Sequence, residues 1–508
     1  MTEGEGSEGA LSPFIIKGKG RRIMEKGGRA SWSGSLAFVI AAAASAIGLG
    51  NLWRFPYLAA QYGGGMFIAI YLVLVATLGF ALMTTEIAIG RKTSQSQLTA
   101  YSRLKRGWGF IGIVGTVIPI LIVPYYCVIG GWVLYYLKAY THMAFTGVNI
   151  MGEAAADSGQ VFSSFISAPF APFGYGMVFI LGCAAVIVMG VKNGIEKSNM
   201  VMMPILFIMA IAISLYVLFL PGSAEGVRYY LVPNLDCVST PDGKFSIVLL
   251  CKTILGAMGQ MFYSLSLAMG IMVTYGSYTS KSDSIEKCVR RIEIFDTLIA
   301  LIAGLMIIPV VYMFAVKTGT DVKQAMCAGP GLMFITLPKV FATLGTAGAW
   351  VGMGFFLLVV FAAATSAISL MEACVASVCD IMAIDRKPAT FFTTAIIMFL
   401  ATFSALGYGA WKHVKLYIFD TVNGQQFLDF FDFLSNSVLM PVVAVATCVF
   451  VGWVLGPKAI IDECESNGVT MKSKGIYSLM VKYIAPALMV MLLVSEICRA
   501  LGIGGWSI

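Results

Sequence analysis

Residues 33–58 read SGSLAFVIAAAASAIGLGNLWRFPYL. An apolar run of this length crosses a bilayer as a helix, since about 20 apolar residues suffice. Its middle nevertheless makes poor helix. Gly48, Leu49, Gly50 and Asn51 put two glycines and a short amide where a membrane helix should be strongest. Each interior glycine costs roughly 0.5–1 kcal/mol relative to alanine. Arg54 and Pro56 follow at once, and an arginine within a membrane span points to function by default. If the helix opens at 48–50, free backbone N–H groups and carbonyls face one cavity, the only setting in which non-helical backbone is tolerated at membrane depth. Free carbonyls suit a small cation; free N–H groups and a half-helix N-terminus suit a carboxylate. Taken alone, the stretch fits a glycine-kinked helix packed closely on a neighbour equally well.

The surrounding chain has 508 residues, 58% hydrophobic and 12% charged, with a mean hydropathy of +0.85. That composition describes an integral membrane protein, not a soluble domain with a large core. The apolar runs are helical in length and lack ten-residue alternation, which excludes a barrel. The net charge of +8 sits mostly in predicted cytoplasmic loops. It reports topology, and no nucleic-acid partner is expected. Eleven cysteines lie scattered, mostly within apolar runs, at no metal-binding spacing, so most are expected to be small buried apolar residues. The segment through Arg29 is polar and basic, and no apolar stretch precedes residue 33. No cleaved signal peptide is therefore expected.

About eleven spans are predicted, near 33–58, 64–90, 109–144, 174–192, 198–220, 244–276, 286–317, 344–380, 389–407, 425–456 and 474–502. Basic clusters follow alternate spans: Arg91, Lys92, Arg103, Lys105 and Arg106 after the second, Lys192 and Lys197 after the fourth, Lys281, Lys287, Arg290 and Arg291 after the sixth. The positive-inside rule then places the N-terminus in the cytoplasm and, with an odd span count, the C-terminus outside. The sixth span repeats the defect of the first. Residues 256–270 read GAMGQMFYSLSLAMG, with Gln260, Ser264 and Ser266 inside an apolar run. Interrupted helices five spans apart are what a five-plus-five inverted repeat produces, with the site at the midplane between the breaks. The expected division is a cytoplasmic tail 1–32, a first repeat 33–220, an extracellular loop 221–243, a second repeat 244–456, and span 11 with the C-terminus over 457–508.

Other polar residues fall within spans. Glu86 lies in span 2, Asp296 in span 7, Thr365, Ser366 and Glu372 in span 8, and Asp429 and Asp432 in span 10. Uncompensated carboxylates there cost several kcal/mol, so they should pair or coordinate. The hydroxyls of Thr365 and Ser366 have a bland alternative, a bond to their own i−4 carbonyl. Asp296 has one too, as a solvated helix end. Tyr125 and Tyr126 lie deep or at the interface.

GLGNLWRFP at 48–56 resembles the sodium:neurotransmitter symporter family, in particular its bacterial amino-acid transporter branch, which includes the bacterial leucine transporter. Further matches run in order: GGG at 63–65, Glu86–Gly90–Arg91, Tyr125–Tyr126, GIEKSN at 194–199, GQMFYSLSL at 259–267, GPGLMF at 329–334 and FAAATS at 361–366. The likeness spans roughly 29–456. It implies an all-α membrane fold of about 11 helices with discontinuous helices 1 and 6, and sodium-coupled symport by alternating access.

The resemblance implies two sodium ions and one amino-acid substrate at the midplane. One sodium site takes the Ala46 carbonyl, the Asn51 side chain, the carbonyl and hydroxyl of Ser264, and Asp296. The second takes the carbonyls of Ala44, Ile47 and Ala362 with the hydroxyls of Thr365 and Ser366. Both are all-oxygen cages, as a hard cation wants. The substrate's carboxylate is expected on the N–H groups of Leu49 and Gly50 and the Tyr126 hydroxyl. Its amine is expected on the carbonyls of Ala46, Tyr263 and Ser264 and the Ser266 hydroxyl. Ile122, Tyr263, Met269, Ser366 and Leu370 are expected around its side chain, a wall that favours a hydrophobic or aromatic amino acid. An outer gate pairs Arg54 with Asp432, backed by Tyr126 and Met269. An inner gate pairs Arg29 with Asp380, near Trp32, Ser277 and Tyr278. Gly194 and Pro204 match a family motif linked to unwinding of span 5; the alternative is a static proline kink.

The chain also departs from the bacterial leucine transporter, which has Gly at Ala44, Asn at Ser45, Phe at Tyr263 and Met269, and Asn at Asp296. Amine carriers of the family have Asp where Gly48 stands. In animal relatives a chloride ion is held by groups matching Tyr71, Gln260 and Ser264. Here Ala300 stands where the leucine transporter has its compensating carboxylate, but Asp296 occupies the sodium-ligating position itself. No chloride requirement is therefore expected. The fixed charge would also attract a proton on the return step.

Competing classes have little support. No G-x-x-x-x-G-K-[ST] loop provides an ATP-driven engine. His142 and His413 stand far apart with no H-E-x-x-H motif, so no enzyme is expected. The alternatives kept are a non-transporting amino-acid sensor on the same fold and a symporter of another small zwitterion.

Overall fold

The computed structural model describes residues 30–149, 158–240, 242–418 and 424–500. With no water to bond them, apolar runs must satisfy their backbone internally, so they form helices. Ten single helices are long and apolar enough to span a bilayer, and a bent pair, Ser35–Ala46 with Gly50–Gln61, makes an eleventh span. After this first span come span 2 (Gly65–Thr93), span 3 (Gly109–Thr146), span 4 (Ala171–Val188) and span 5 (Val191–Leu218). Span 6 (Ile247–Ser264) is continued by the short helix Ile271–Gly276. Spans 7 to 11 are Ile285–Thr318, Thr346–Met382, Arg386–Gly407, Phe427–Leu455 and Lys474–Arg499. Among the described residues, β-structure is limited to isolated bridges. The side on which span 1 begins is here the inner side.

Both expected breaks are present, and their positions are now defined. The halves of span 1 meet at 55°, with the break at Ile47 and Gly48. In span 6 the helix persists through Gln260 and Ser264 and opens only over 265–270. Ser266 at φ 53°, Ala268 at φ 59° and Gly270 at φ 76° turn the chain through left-handed backbone. Two of these are not glycine, and each such residue costs roughly 1–2 kcal/mol. One compensating contact is direct: the Ala268 N–H donates to Glu86 Oε1 at 2.7 Å.

The predicted start of span 5 needs correction. A wide π-type turn over Val191–Glu196 carries the helix back to Val191, so Gly194 lies inside it. A Cβ on Gly194 would stand 1.9 Å from the Val186 carbonyl oxygen. This glycine is therefore required by the close approach of span 4. Span 2 meets the inner piece of span 6 in the same way, since a Cβ on Gly90 would stand 1.9 Å from the Val273 carbonyl oxygen. Packing between membrane helices favours such small residues, which let backbones touch. The two longest spans, 3 and 8, pack on each other, span 4 packs on spans 3 and 9, and span 7 packs on spans 1 and 5.

Candidate functional site

The break in span 1 redirects two backbone donors. Gly48 N–H, which a continuous helix would spend on the Ala44 carbonyl, donates to Asn51 Oδ1 at 3.1 Å. Leu49 N–H meets the Tyr126 hydroxyl oxygen at 3.3 Å. Gly50's carbonyl accepts from Gln260 Nε2 at 3.2 Å, which ties the broken region of span 1 to span 6.

Beside the break, three spans converge on one carboxylate. Asp296 Oδ1 accepts from Asn51 Nδ2 at 2.8 Å and from the Ser264 hydroxyl at 2.8 Å. Its Oδ2 accepts from the Tyr71 hydroxyl at 3.2 Å. Asn51, Tyr71 and Asp296 have no solvent exposure, and Ser264 is 2% exposed. Asp296 is thus no solvated helix end. A buried carboxylate needs such partners, because an uncompensated charge at this depth is strongly unfavourable.

A second cluster lies where span 8 crosses the end of the first half of span 1. The Ser366 hydroxyl reaches the carbonyls of Ser45 at 2.9 Å and Ile47 at 3.3 Å. The Thr365 hydroxyl is shared between the Phe361 and Ala362 carbonyls at 3.0 and 3.1 Å. Thr365 therefore makes the local i−4 bond that its sequence context allowed, whereas Ser366 reaches across to the other helix.

Between these clusters lies a cavity. Ala46, Gly50, Ile122, Tyr126, Tyr263, Ser264, Ser266, Met269, Ser366 and Leu370 line it, which brings together every expected substrate residue except Leu49, represented by its N–H bond to Tyr126. Ser45 and Ile271 line it too, and neither was expected there. The Ser45 hydroxyl is buried without a partner among the described residues.

The expected outer-gate partners do not meet. Arg54 and Asp432 line one outer vestibule with Tyr125, Tyr126 and Tyr263. They form no ion pair among the described residues. Arg54 Nη1 donates to the Gly259 carbonyl at 3.3 Å, and its guanidinium carbon lies 5.9 Å from the Tyr263 ring centre. Asp432 accepts from Asn436 Nδ2, one turn on, at 2.6 Å. Arg54 and Asp432 are thus each held by another group.

On the inner side Trp32 is buried. Its Nε1 donates to the Tyr275 carbonyl at 3.1 Å, and its ring meets Tyr275 edge-on at 5.1 Å and Tyr278 at 6.0 Å. Asp380 Oδ2 accepts from Ser96 N–H at 2.6 Å; Arg29, its expected partner, lies outside the described residues. Ser277 donates to the Thr274 carbonyl one turn back. The strongest inner contacts were not foreseen as a gate. Tyr278 donates to Glu372 Oε1 at 2.8 Å, and Glu372, fully buried, is paired with Arg386. Glu196 of the GIEKSN motif accepts from Ser33 N–H at 3.1 Å. Glu372 had shown itself as a carboxylate within span 8; nothing local named Arg386 as its partner.

A bundle of apolar spans, two of them broken beside a buried cluster of oxygen-bearing groups and a cavity, is the arrangement of a secondary membrane transporter. Comparison with known proteins makes this specific. The sodium:neurotransmitter symporter family model matches residues 29–149 and 174–504, and the chain belongs to that family. It is 33% identical to the uncharacterized sodium-dependent transporter YhdH of Bacillus subtilis, over 86% of this chain and 90% of that one. It is 25% identical to the mouse sodium- and chloride-dependent GABA transporter 2, over 86% of this chain and 75% of that one. The crystal structure of MhsT in complex with L-phenylalanine superposes with a TM-score of 0.78 at 32% identity, covering 92% of this chain and all of that one. The five-plus-five inverted repeat with broken helices 1 and 6 is therefore the fold, and the protein is a sodium-coupled multi-pass membrane transporter, not an enzyme.

Proposed function

We propose that this protein carries a hydrophobic or aromatic amino acid together with two sodium ions, by alternating access and without chloride. The observation that carries this reading is the meeting of Asn51, Ser264 and Asp296 at the breaks of spans 1 and 6, beside a cavity walled by Ile122, Tyr126, Tyr263, Met269 and Leu370. In this reading the repeats run 33–220 and 244–456, the inner side is the cytoplasm and the C-terminus is outside.

The first sodium ion takes Asn51, Ser264, Asp296 and the Ala46 carbonyl. The second ion takes the carbonyls of Ala44, Ile47 and Ala362 and the hydroxyls of Thr365 and Ser366. The Ala44 carbonyl supports this role, because Gly48 N–H is spent on Asn51. The substrate carboxylate lies on the N–H groups of Leu49 and Gly50 and on Tyr126; Ser266 and the carbonyls of Ala46, Tyr263 and Ser264 receive the amine. MhsT, whose structure holds L-phenylalanine, supports an apolar side chain. Arg54 and Asp432 close the outer side by leaving their present partners for each other. Trp32, Ser277, Tyr278, Asp380 and Arg29 close the inner side. Exposed pairs are worth only about 0–1 kcal/mol, which suits gates that open every cycle. Counterflow of labelled amino acids in proteoliposomes, with and without sodium, tests the reading: sodium-dependent exchange is expected, and its absence rejects it in favour of a sensor.

The substrate must bring its own carboxylate. A Cβ on Gly48 would lie 2.8 Å from Ser366 Oγ and 2.9 Å from the Tyr126 hydroxyl, so no side chain of span 1 supplies a charge here. Tyramine and isoamylamine are expected to compete at least ~100-fold more weakly than tyrosine and leucine, since hydrogen bonds to a charged group contribute about 1.5–3 kcal/mol each. Equal competition by amine and amino acid sinks this reading of Gly48.

Span 5 gives another expected result. Pro204 sits inside the helix and removes the bond to the Met200 carbonyl, a defect of about 3 kcal/mol. Buried Asn199 has no partner for either amide atom among the described residues. Both make this stretch the weak point through which water reaches the second sodium site from the inner side. Pro204→Ala restores the helix. If half the defect opposes opening, inward sodium release slows about tenfold while binding from outside stays nearly intact. An unchanged uptake rate in a folded mutant identifies Pro204 as a static kink.

A further inference from the structure

Apart from the central cavity and the vestibule, a further cavity of about 330 Å³ lies at the outer end of span 3. Span 3, the short helix Leu337–Thr343 and the start of span 8 enclose it. Tyr136, Tyr140, Met143, Val161, Pro338 and Phe341 form its walls. Its mouth is outward, at Gly147, Ala342, Gly345 and Thr346, all of them exposed. Among the described residues that line it, none is charged.

The polar groups of the wall are not alike. The Tyr136 hydroxyl donates to the Phe334 carbonyl at 3.1 Å, and the Ser158 hydroxyl to the Ile335 carbonyl at 2.8 Å. Tyr140 has no such bond. Its ring is fixed, edge-on to Phe341 at 5.9 Å and stacked on Phe356 at 5.3 Å. On a third side a Cβ on Gly352 would stand 2.3 Å from it. The residue is 2% exposed. Its hydroxyl has no hydrogen-bond partner among the described residues, yet, unlike the orphaned hydroxyls of Ser96 and Ser404, it keeps accessible surface. A rigidly held phenol with a spare, reachable hydroxyl thus lines an uncharged aromatic cavity.

We propose that this cavity binds an uncharged aromatic alcohol and that its occupation slows transport. The binding stands on the cavity alone; the effect rests on the transporter reading. The ligand's hydroxyl meets that of Tyr140, which both donates and accepts. Its rings lie against Tyr136 and Phe341, where aromatic contacts are favourable, with the Met143 sulfur beside them. A charged group would find nothing there to compensate it. Small-molecule sites span about 300–1,000 Å³, so a cavity at the lower end takes roughly two rings. The effect follows from the stretch 328–343. Ala328, Gly329 and Pro330 at one end line the outer vestibule with Arg54 and Asp432, and Pro338 and Phe341 at the other end wall the cavity. The vestibule therefore cannot change width without displacing this stretch. A Cβ on Gly348 would stand 1.9 Å from the Phe341 carbonyl oxygen, so the helix is seated backbone to backbone on span 8. A ligand wedged between that helix and span 3 holds the seat.

Photolabelling of the purified full chain with 4-hydroxybenzophenone, an uncharged two-ring phenol that inserts into C–H bonds on irradiation, tests the site. Saturable labelling is expected at Met143 and within 338–349. Excess 4-phenylphenol should prevent it, and biphenyl-4-carboxylate, of similar shape but anionic, should not. Tyr140→Phe should weaken protection by 4-phenylphenol ~5-fold, the worth of one neutral hydrogen bond, and leave protection by biphenyl unchanged. In proteoliposomes 4-phenylphenol should lower the maximal rate of amino-acid uptake without raising KM, and do so ~5-fold more weakly in Tyr140→Phe. Labelling confined to the vestibule or to other spans, equal protection by the carboxylate, or protection by 4-phenylphenol that Tyr140→Phe leaves unchanged overturns the site. Uninhibited uptake, or a raised KM at constant maximal rate, overturns its coupling to transport. Labelling needs no transport, so the site stands or falls apart from the transporter reading.

Discussion

Asp296→Asn is expected to abolish uptake in chloride-free medium, by at least ~100-fold, or to make it depend on chloride. The change keeps volume and shape but removes the only formal charge in the cluster of Asn51, Tyr71, Ser264 and Asp296. In the proposed cycle, two sodium ions and a substrate ammonium face one substrate carboxylate in a region closed to water. Charges there interact far more strongly than in solution, so one missing negative charge is felt severely. The Asp296 carboxylate already accepts from the Tyr71 and Ser264 hydroxyls, two of the groups to which the family resemblance assigns chloride in animal relatives. A fixed anion thus occupies that neighbourhood. The mouse GABA transporter relative is named as chloride-dependent; this chain is expected to differ. Replacing chloride by gluconate should leave wild-type sodium-driven uptake unchanged. A wild-type protein that stops when chloride is withdrawn overturns the assignment.

Glu372→Ala should release the inner side. Glu372 is fully buried, accepts from Tyr278 at 2.8 Å, and is paired with Arg386 at the start of span 9. Removing one partner of a buried pair leaves the other charge uncompensated, at a cost of about 3–5 kcal/mol. Tyr278 also packs on Trp32, so in the proposed inner gate the loss loosens the seat of Trp32. Population should move toward the inward-open form by roughly 10²-fold or more. A cysteine placed at Ser277 should then react much faster with a membrane-permeant thiol reagent, and net uptake should fall. Unchanged labelling, with thermal stability simply lowered, would identify the pair as a structural brace with no part in gating.

Parts of the molecule were legible in the sequence because they are local properties. Span length and count follow from apolar runs, which need only their own composition to become helices in lipid. The breaks of spans 1 and 6 follow from Gly48, Gly50 and the polar residues Gln260, Ser264 and Ser266 inside an apolar run. Span 6 shows the limit of that reading: its polar residues Gln260 and Ser264 remain helical, and the chain opens only after them, where Ala268 N–H finds Glu86 across the bundle. The family resemblance also brought forward Asn51, Ser264 and Asp296 as one set.

The sequence by itself determined a many-spanning helical transporter with two broken helices and the side chains gathered at its centre. Tertiary structure decided which of those groups touch. Asp296 meets Tyr71 across 225 positions; Arg54 turns to Gly259 and Tyr263 instead of Asp432; Glu372 takes Arg386 and Tyr278; Gly194 is required by the approach of the Val186 carbonyl. The reason is common to all of these. A charge or a small residue announces from sequence that it needs a partner or room. The partner itself is chosen by distance, burial and competition among groups that only the folded bundle brings together.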